Sequence, residues 1–337
     1  MAFITLDKNN FFYNLDIIAQ KTKSKDKIAL VLKDNAYGHG LCEMAALAKE
    51  YGITKAVVRT SQDAKDIYEY FDYILVLAEI PKDADQKVHY TINDLDTIKF
   101  FPKHTKVELK VNSGMNRNGI EPEQLEEAFA LIAQGDLELK AVFTHHSSAD
   151  EEGEYFEFQE RNFSNVKEKA RALSKQYNWE LSFHSANSAA LFRTKNFDED
   201  MVRVGIAAYG CLQMPRHICD VKQKPVLSLY AHKNSSRVIN AGDSIGYGAS
   251  YTSEKEQVVS NYDFGYGDGF LRSCSNIYIT PENIDIAGRI SMDNSSFLSE
   301  KEELLIFNDA RNAAKFAGTI SYEVLTSLKS HIQRKVI

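Results

Sequence analysis

Ala29-Leu-Val-Leu-Lys-Asp-Asn-Ala-Tyr-Gly-His-Gly40 is a run of buried-strand residues that ends in one lysine and breaks at once into a polar, glycine-punctuated turn. Burying an unpaired ammonium is costly, so an apolar strand normally excludes lysine. Lys33 is therefore either leaving the core for solvent or placed there to do chemistry. Its neighbours favour chemistry. Asn35, Tyr37 and His39 supply polar groups, while Gly38 and Gly40 allow a ligand to approach the backbone closely.

Outward from this stretch, strands alternate with helices. Apolar runs predict strands at Lys27–Leu32, Lys55–Arg59, Tyr73–Leu77, Val88–Ile92, Val107–Val111, Leu137–Phe143, Leu181–His184 and Met201–Ala207. Helical spacing with charged faces predicts helices at Cys42–Tyr51, Gln62–Tyr70, Pro122–Ala133 and Tyr155–Tyr177. Eight alternating strands fit an α/β fold of the (β/α)8 TIM-barrel type. A doubly wound sheet also alternates, but it usually has fewer strands, and no GxGxxG follows the first one. From about Pro225 the texture becomes short runs (Val226–Tyr230, Gln257–Ser260, Asn276–Ile279, Ile284–Ile290, Glu303–Phe307) between Gly, Asn, Ser and Asp, which predicts a mainly β domain. The tail Ser321–Lys335 returns to helical spacing. The expected division is a barrel over residues 1–222 and a β domain over 223–337, with the first few residues able to join the second domain's sheet.

Composition narrows the function classes. With 337 residues, 44% hydrophobic and 26% charged, the chain has the make-up of a soluble enzyme. A net charge of -7 with no basic cluster argues against nucleic acid as a partner. No apolar run reaches membrane-spanning length, and the N-terminus lacks a signal-peptide layout. Cys42, Cys211, Cys219 and Cys274 are scattered, with no metal spacing, so free thiols in a reducing cytoplasm and no metal site are expected.

In a barrel, function collects at the carboxyl ends of the strands. The polar residues there form a set: Lys33, Asn35 and Tyr37; Lys110 with Asn112-Ser-Gly-Met-Asn-Arg117; Thr144, His145 and His146; His184 with Asn187 and Ser188; Arg203, Gly205 and Ile206. Each has a plain alternative: His145 and His184 as satisfied core histidines, Arg203 in a structural ion pair, Ser188 as a helix cap. Two features suggest an anion. Asn187-Ser188 precedes Ala189-Ala190-Leu191 at a helix start, and the Gly205-Ile206 amides follow the eighth strand, where barrels often bind phosphate. A phosphate site with a strand-end lysine suggests pyridoxal 5'-phosphate, which needs an amine for a Schiff base and an anchor for its dianion. In the second domain, Gly242–Tyr251, Asn261–Gly269 and Gly288–Asp293 are rich in glycine and tyrosine, which favours a binding surface over plain hairpins.

Together these motifs resemble the bacterial alanine racemases, pyridoxal-phosphate enzymes with an N-terminal barrel and a C-terminal β domain. The resemblance runs through nearly the whole chain. It is most specific at Lys33-Asp-Asn-Ala-Tyr-Gly-His-Gly40, and extends through Lys110–Arg117, His184–Ser188, Arg203–Ile206, Gly246–Tyr251, Gly265–Gly269, Gly288–Asp293 and Ser321–Glu323.

The resemblance implies that Lys33 holds the cofactor as an internal aldimine and serves as one of two proton-transfer bases. Tyr247 of the second subunit of a homodimer is the other, on the opposite face. It places Tyr37, Ser188, Gly205, Ile206 and Tyr322 at the phosphate, and His145 and Asn187 in the cofactor shell, His145 supporting Arg203. Arg203 faces the pyridine nitrogen, and a guanidinium does not readily give up its proton. The ring nitrogen then stays unprotonated, a weaker electron sink that suits proton return without transamination. Arg117 holds the catalytic tyrosine and the substrate carboxylate, Met292 offers a backbone contact to substrate, and Tyr266 and Asp293 lie at the entrance. Lys110 occupies the place of a carbamylated lysine that pairs with Arg117. Asp34, Val204 and His146 depart from the usual alanine, proline and apolar residue. The implied activity is interconversion of L- and D-alanine in the cytoplasm, supplying peptidoglycan synthesis. A racemase of broader specificity, a barrel decarboxylase and a non-catalytic pyridoxal-phosphate carrier are the alternatives. The second-base motif around Tyr247 argues against the last two.

Overall fold

The computed structural model describes residues 2–337. The chain opens with a strand, β1 (Phe3–Leu6), that lies outside the barrel. Eight parallel strands then form the barrel: β2 (Ile28–Val31), β3 (Lys55–Val58), β4 (Tyr73–Val76), β5 (Val88–Ile92), β6 (Lys106–Lys110), β7 (Glu138–Phe143), β8 (Ser182–His184) and β9 (Val202–Val204). β9 pairs with β2, and the seam between β8 and β9 is bridged by Asp200 N–H to Phe183 O at 3.2 Å and Arg203 N–H to Ala186 O at 3.0 Å. All eight predicted strands are present. The aliphatic runs of β2, β3 and β4 follow from burial on both faces, between the barrel interior and the surrounding helices. The helix Tyr155–Tyr177 illustrates the outer layer, burying Phe156, Phe163, Val166, Ala170 and Leu173 along one stripe. No helix among the described residues is long and apolar enough to cross a membrane.

The second domain adds β10 (Leu227–Ile239), β11 (Ser244–Ile245), β12 (Tyr251–Thr252), β13 (Gln257–Tyr262), β14 (Ser295–Phe297), β15 (Glu303–Phe307) and β16 (Gln333–Val336). Its main sheet runs β14-β13-β10-β1-β16, with β15 also on β10. β1 pairs antiparallel with β10 and parallel with β16, tying the two domains together.

Some sequence expectations are corrected. The helix Lys8–Thr22 was not anticipated, although Phe11, Leu15 and Ile18 bury at helical spacing and Asp7 caps it through Asn10 N–H at 2.9 Å. The stretch Gln62–Tyr70 is a helix only to Asp66, followed by a separate 3-10 turn over Tyr68–Tyr70. Asn276–Ile279 and Ile284–Ile290 form no strands, only isolated bridges at Ile279↔Asp285 and Ile286↔Phe297. The tail is helical only over Ser321–Ser327. Its last part becomes β16 because β1 offers an edge to pair with.

Candidate active site

The turn after β2 takes its unusual backbone from residues other than glycine. Asp34, Asn35, Ala36 and Tyr37 all have φ between 52° and 55°, one left-handed turn made of non-glycine residues. Such a conformation costs L-residues roughly 1–2 kcal/mol each, so surrounding contacts must hold it. Asn35 supplies two: its carbonyl accepts Gly40 N–H at 3.0 Å and its Oδ1 accepts Leu41 N–H at 2.9 Å. The buried His39 ring lies 3.1 Å and 3.0 Å, through Nδ1, from the Ala36 and Tyr37 carbonyls, and stacks on Tyr209. Burial pushes His39 down to about 4, so it is neutral and Nδ1 is the donor. From the far end of the chain, Arg334 in β16 donates Nε and Nη2 to the Gly38 carbonyl at 3.1 Å and 2.9 Å.

This turn points Lys33 into a cavity of about 340 Å³ at the carboxyl ends of the strands, a size suited to a small ligand. Lys33, Tyr37, Lys110, Arg117, His145, Asn187, Ser188, Arg203, Gly205, Ile206 and Tyr322 all line it. Tyr322 enters from the second domain on the helix Ser321–Ser327, its ring 5.8 Å from that of Tyr37. Burial raises both phenols, so each stays a hydroxyl donor. A Cβ at Gly205 would come within 2.8 Å of the Tyr37 ring, so glycine there lets the phenol lie against the backbone. Asn187, not Ser188, caps the following helix, accepting Ala190 N–H at 2.9 Å. Ser188 Oγ instead accepts Gly205 N–H at 3.2 Å and Ala207 N–H at 3.3 Å.

Four cationic side chains share the cavity. Burial lowers Lys110 to about 8, with Arg117, Arg203 and Lys33 adding repulsion. Burial also lowers His145 well below the usual range, helped by Arg203 and Lys110, so it is neutral. Asp34 brings one carboxylate to the wall, 3.9 Å from Lys33 Nζ and 3.5 Å from Arg59 Nη1. Arg203 is buried, with Nη2 donating to Thr144 O at 2.6 Å and to Ser185 O at 3.2 Å. Its contact with His145 is 3.5 Å, and its closer histidine partner is His184, through Nδ1. Among the described residues no cluster of His, Cys, Asp and Glu could hold a metal ion.

Tyr247, Tyr266, Met292 and Asp293 do not line this cavity. Tyr247 is 68% exposed, on the turn between β11 and β12, in a separate cleft of about 550 Å³ with Arg237, Asn261, Arg289 and Asn294. Met292 and Tyr266 are 57% and 42% exposed, and Met292 O accepts Gly267 N–H at 2.7 Å. Sequence reasoning missed Glu108, which accepts from His184 inside the barrel. The available signal was its inward register two residues before Lys110 on β6.

A barrel with a lysine and a cation-rich cavity at its strand ends, closed on one side by a tyrosine from a β domain, is the architecture of a two-domain barrel enzyme for a small anionic ligand. Residues 6–213 match the model of the alanine racemase N-terminal domain, and residues 226–336 that of the C-terminal domain. An alanine racemase of Nitratiruptor sp. is 42% identical over 335 residues, 99% of each chain. One from Campylobacter jejuni is 40% identical over 339 residues and the whole of both chains. Among solved structures, the Bacillus anthracis alanine racemase with bound L-Ala-P is 28% identical at TM-score 0.87, covering 100% of this chain and 95% of that one. A histidine racemase from Leuconostoc mesenteroides shares the fold at 23% identity and TM-score 0.86, covering 100% and 98%. The chain belongs to the alanine racemase family and is an isomerase of that family.

Proposed function

We propose that the chain interconverts L- and D-alanine with pyridoxal 5'-phosphate attached to Lys33, in a cytoplasmic homodimer that supplies D-alanine for peptidoglycan. In this reading residues 1–222 carry the cofactor, and residues 223–337 add Tyr322 to its site and lend Tyr247 to the other copy. One observation carries it. Lys33 stands in a cavity with phosphate-suited donors, while Tyr247 is exposed in a different cleft, so a second face base has to arrive from another chain.

The cavity residues fit the cofactor. Tyr37, Tyr322, Ser188 and the Gly205 and Ile206 amides would hold the phosphate, Arg203 would meet the ring nitrogen, and Asn187 and His145 would flank the ring. The cofactor, when bound, withdraws electrons from the substrate Cα and acidifies its hydrogen. Lys33 Nζ would take or return that proton on one face and the Tyr247 hydroxyl on the other, which is what inversion requires. Arg117 would fix the substrate carboxylate and the incoming tyrosine, with Met292 O, Tyr266 and Asp293 completing the partner side. Lys110, lowered to about 8, presents more free amine near neutrality, the form that adds carbon dioxide to become a carbamate facing Arg117.

The test is a coupled racemisation assay with L-alanine and a panel of other amino acids. Preference for alanine with Tyr247→Phe inactive, yet still carrying the visible absorbance of bound pyridoxal phosphate, is the expected result. Unchanged turnover in Tyr247→Phe overturns the two-base assignment. Because a histidine racemase has this fold, comparable turnover of several amino acids would favour a broader racemase.

A further inference from the structure

Five side chains from five strands make a polar chain through the barrel beneath the cavity: Arg203, His184, Glu108, His89 and Tyr73. Arg203 is 6% exposed and has no carboxylate within ion-pair distance among the described residues. Its Nη1 donates to His184 Nδ1, and its Nε–H has no protein acceptor among those residues. His184 Nε2 in turn lies 2.8 Å from Glu108 Oε2. Glu108 is 1% exposed and also accepts from His89 Nδ1 at 2.8 Å and the Tyr73 hydroxyl at 2.6 Å.

The chemistry at the two ends fixes the protons between them. A guanidinium only donates, so His184 Nδ1 must be the bare, accepting nitrogen. An ionised carboxylate only accepts, so His184 Nε2 must carry the hydrogen. The ring is therefore neutral, in one tautomer. Burial lowers His184, consistent with that state. Burial opposes the charge on Glu108, but the hydrogen bonds from His184 and His89 outweigh it and hold the carboxyl well below its ordinary range. The negative charge that balances Arg203 along this chain thus sits one imidazole away.

We infer that Glu108 is a positioning residue for the racemase reaction: through His184 it sets the orientation of Arg203, leaving the guanidinium Nε–H free for the cofactor ring. The inference rests on the reading that Arg203 meets the ring nitrogen. Replacing the carboxylate by an amide lets either nitrogen of His184 carry the hydrogen. A hydrogen on Nδ1 would oppose the Arg203 donor and turn the guanidinium.

Two measurements on the holoenzyme test this. In ¹⁵N-histidine NMR of the wild type, His184 should give the Nε2–H tautomer. The Nδ1–H tautomer or a doubly protonated ring overturns the inference, whatever any variant does. In Glu108→Gln, kcat should fall roughly tenfold to a hundredfold, the loss typical of an orienting partner, while KM for alanine stays within about twofold. The visible absorbance maximum of bound pyridoxal phosphate should also shift, and Glu108→Asp should recover part of kcat. A Glu108→Gln enzyme with the wild-type absorbance maximum and kcat overturns it as well. Failure of the underlying reading looks different: wild-type protein then gains no visible absorbance with pyridoxal phosphate, while the His184 tautomer is unaffected.

Discussion

Around Arg203 the barrel supplies partners from its own chain: two backbone carbonyls to Nη2, His184 to Nη1, and Glu108 behind His184 with three donors of its own. The cleft of the second domain differs. Tyr247 is 68% exposed, its neighbour Arg289 packs against the Gly248 turn, and Met292 is 57% exposed. A region that satisfies itself can hold a ligand rigidly. A region that presents a phenol, a thioether and guanidinium groups to solvent is shaped for something that arrives, which in the proposed reading is the cavity of a second copy.

Mixing inactive variants tests that contrast most severely. Lys33→Ala and Tyr247→Phe should each lack racemase activity, a loss of roughly a hundredfold or more. Co-refolded in equal amounts, they should regain about a quarter of wild-type activity, because half the dimers carry one intact shared site. Continued silence in the mixture, measured in the coupled assay, breaks the comparison by placing both bases in one chain. Next in size is Gly38→Ala. Gly38 has φ 76°, and a Cβ there would sit 2.0 Å from Leu325 O in the second domain. Unfolding by denaturant should show a loss of about 2–4 kcal/mol from left-handed strain plus the displaced helix.

Arg237→Glu, in the cleft beside Tyr247, should weaken self-association roughly tenfold (about 1.4 kcal/mol), read by sedimentation velocity. An unaltered association constant would mean that this cleft is not covered by the second copy. The smallest effect belongs to Lys110→Met in buffer free of carbon dioxide. Lys110 titrates at about 8 in the fold, against about 10.4 for a free lysine. Between those values the unfolded chain binds a proton that the native one does not, so stability rises with pH there. Below the lower value both states are protonated and the penalty of the buried cation stands in full. Lys110→Met should therefore raise Tm near neutral pH, with the gain fading toward about pH 10. A gain that is the same at both pH values removes Lys110 as its source.

The barrel was legible because eight short, largely apolar runs alternate with amphipathic helical stretches, the pattern of a parallel sheet covered by helices. The cavity residues were legible because the strand-end rule and the resemblance converge on Lys33, Lys110, His145, Asn187 and Arg203. Glu108 was not, since one glutamate between Val107 and Leu109 reads as an ordinary polar position until β4, β5 and β8 bring Tyr73, His89 and His184 to its carboxylate, with Arg203 beyond His184. The left-handed turn was half legible. Gly38 and Gly40 marked a turn open to close ligand approach, but nothing in the sequence showed that Asp34 to Tyr37 take left-handed backbone, held by Asn35, His39 and Arg334. The strand at Gln333–Val336 was hidden because its partner is β1, at the other end of the chain.

The grip of Arg334 on the Gly38 carbonyl spans 296 positions of sequence. A nascent polypeptide still on the ribosome can complete its barrel long before that guanidinium has been translated. Until then, the loop beside Lys33 lacks its last fastening and Tyr322 has no docked helix to ride on. Completion of the cavity around Lys33 thus waits on residues of the second domain, and folding of the barrel alone leaves it unfinished.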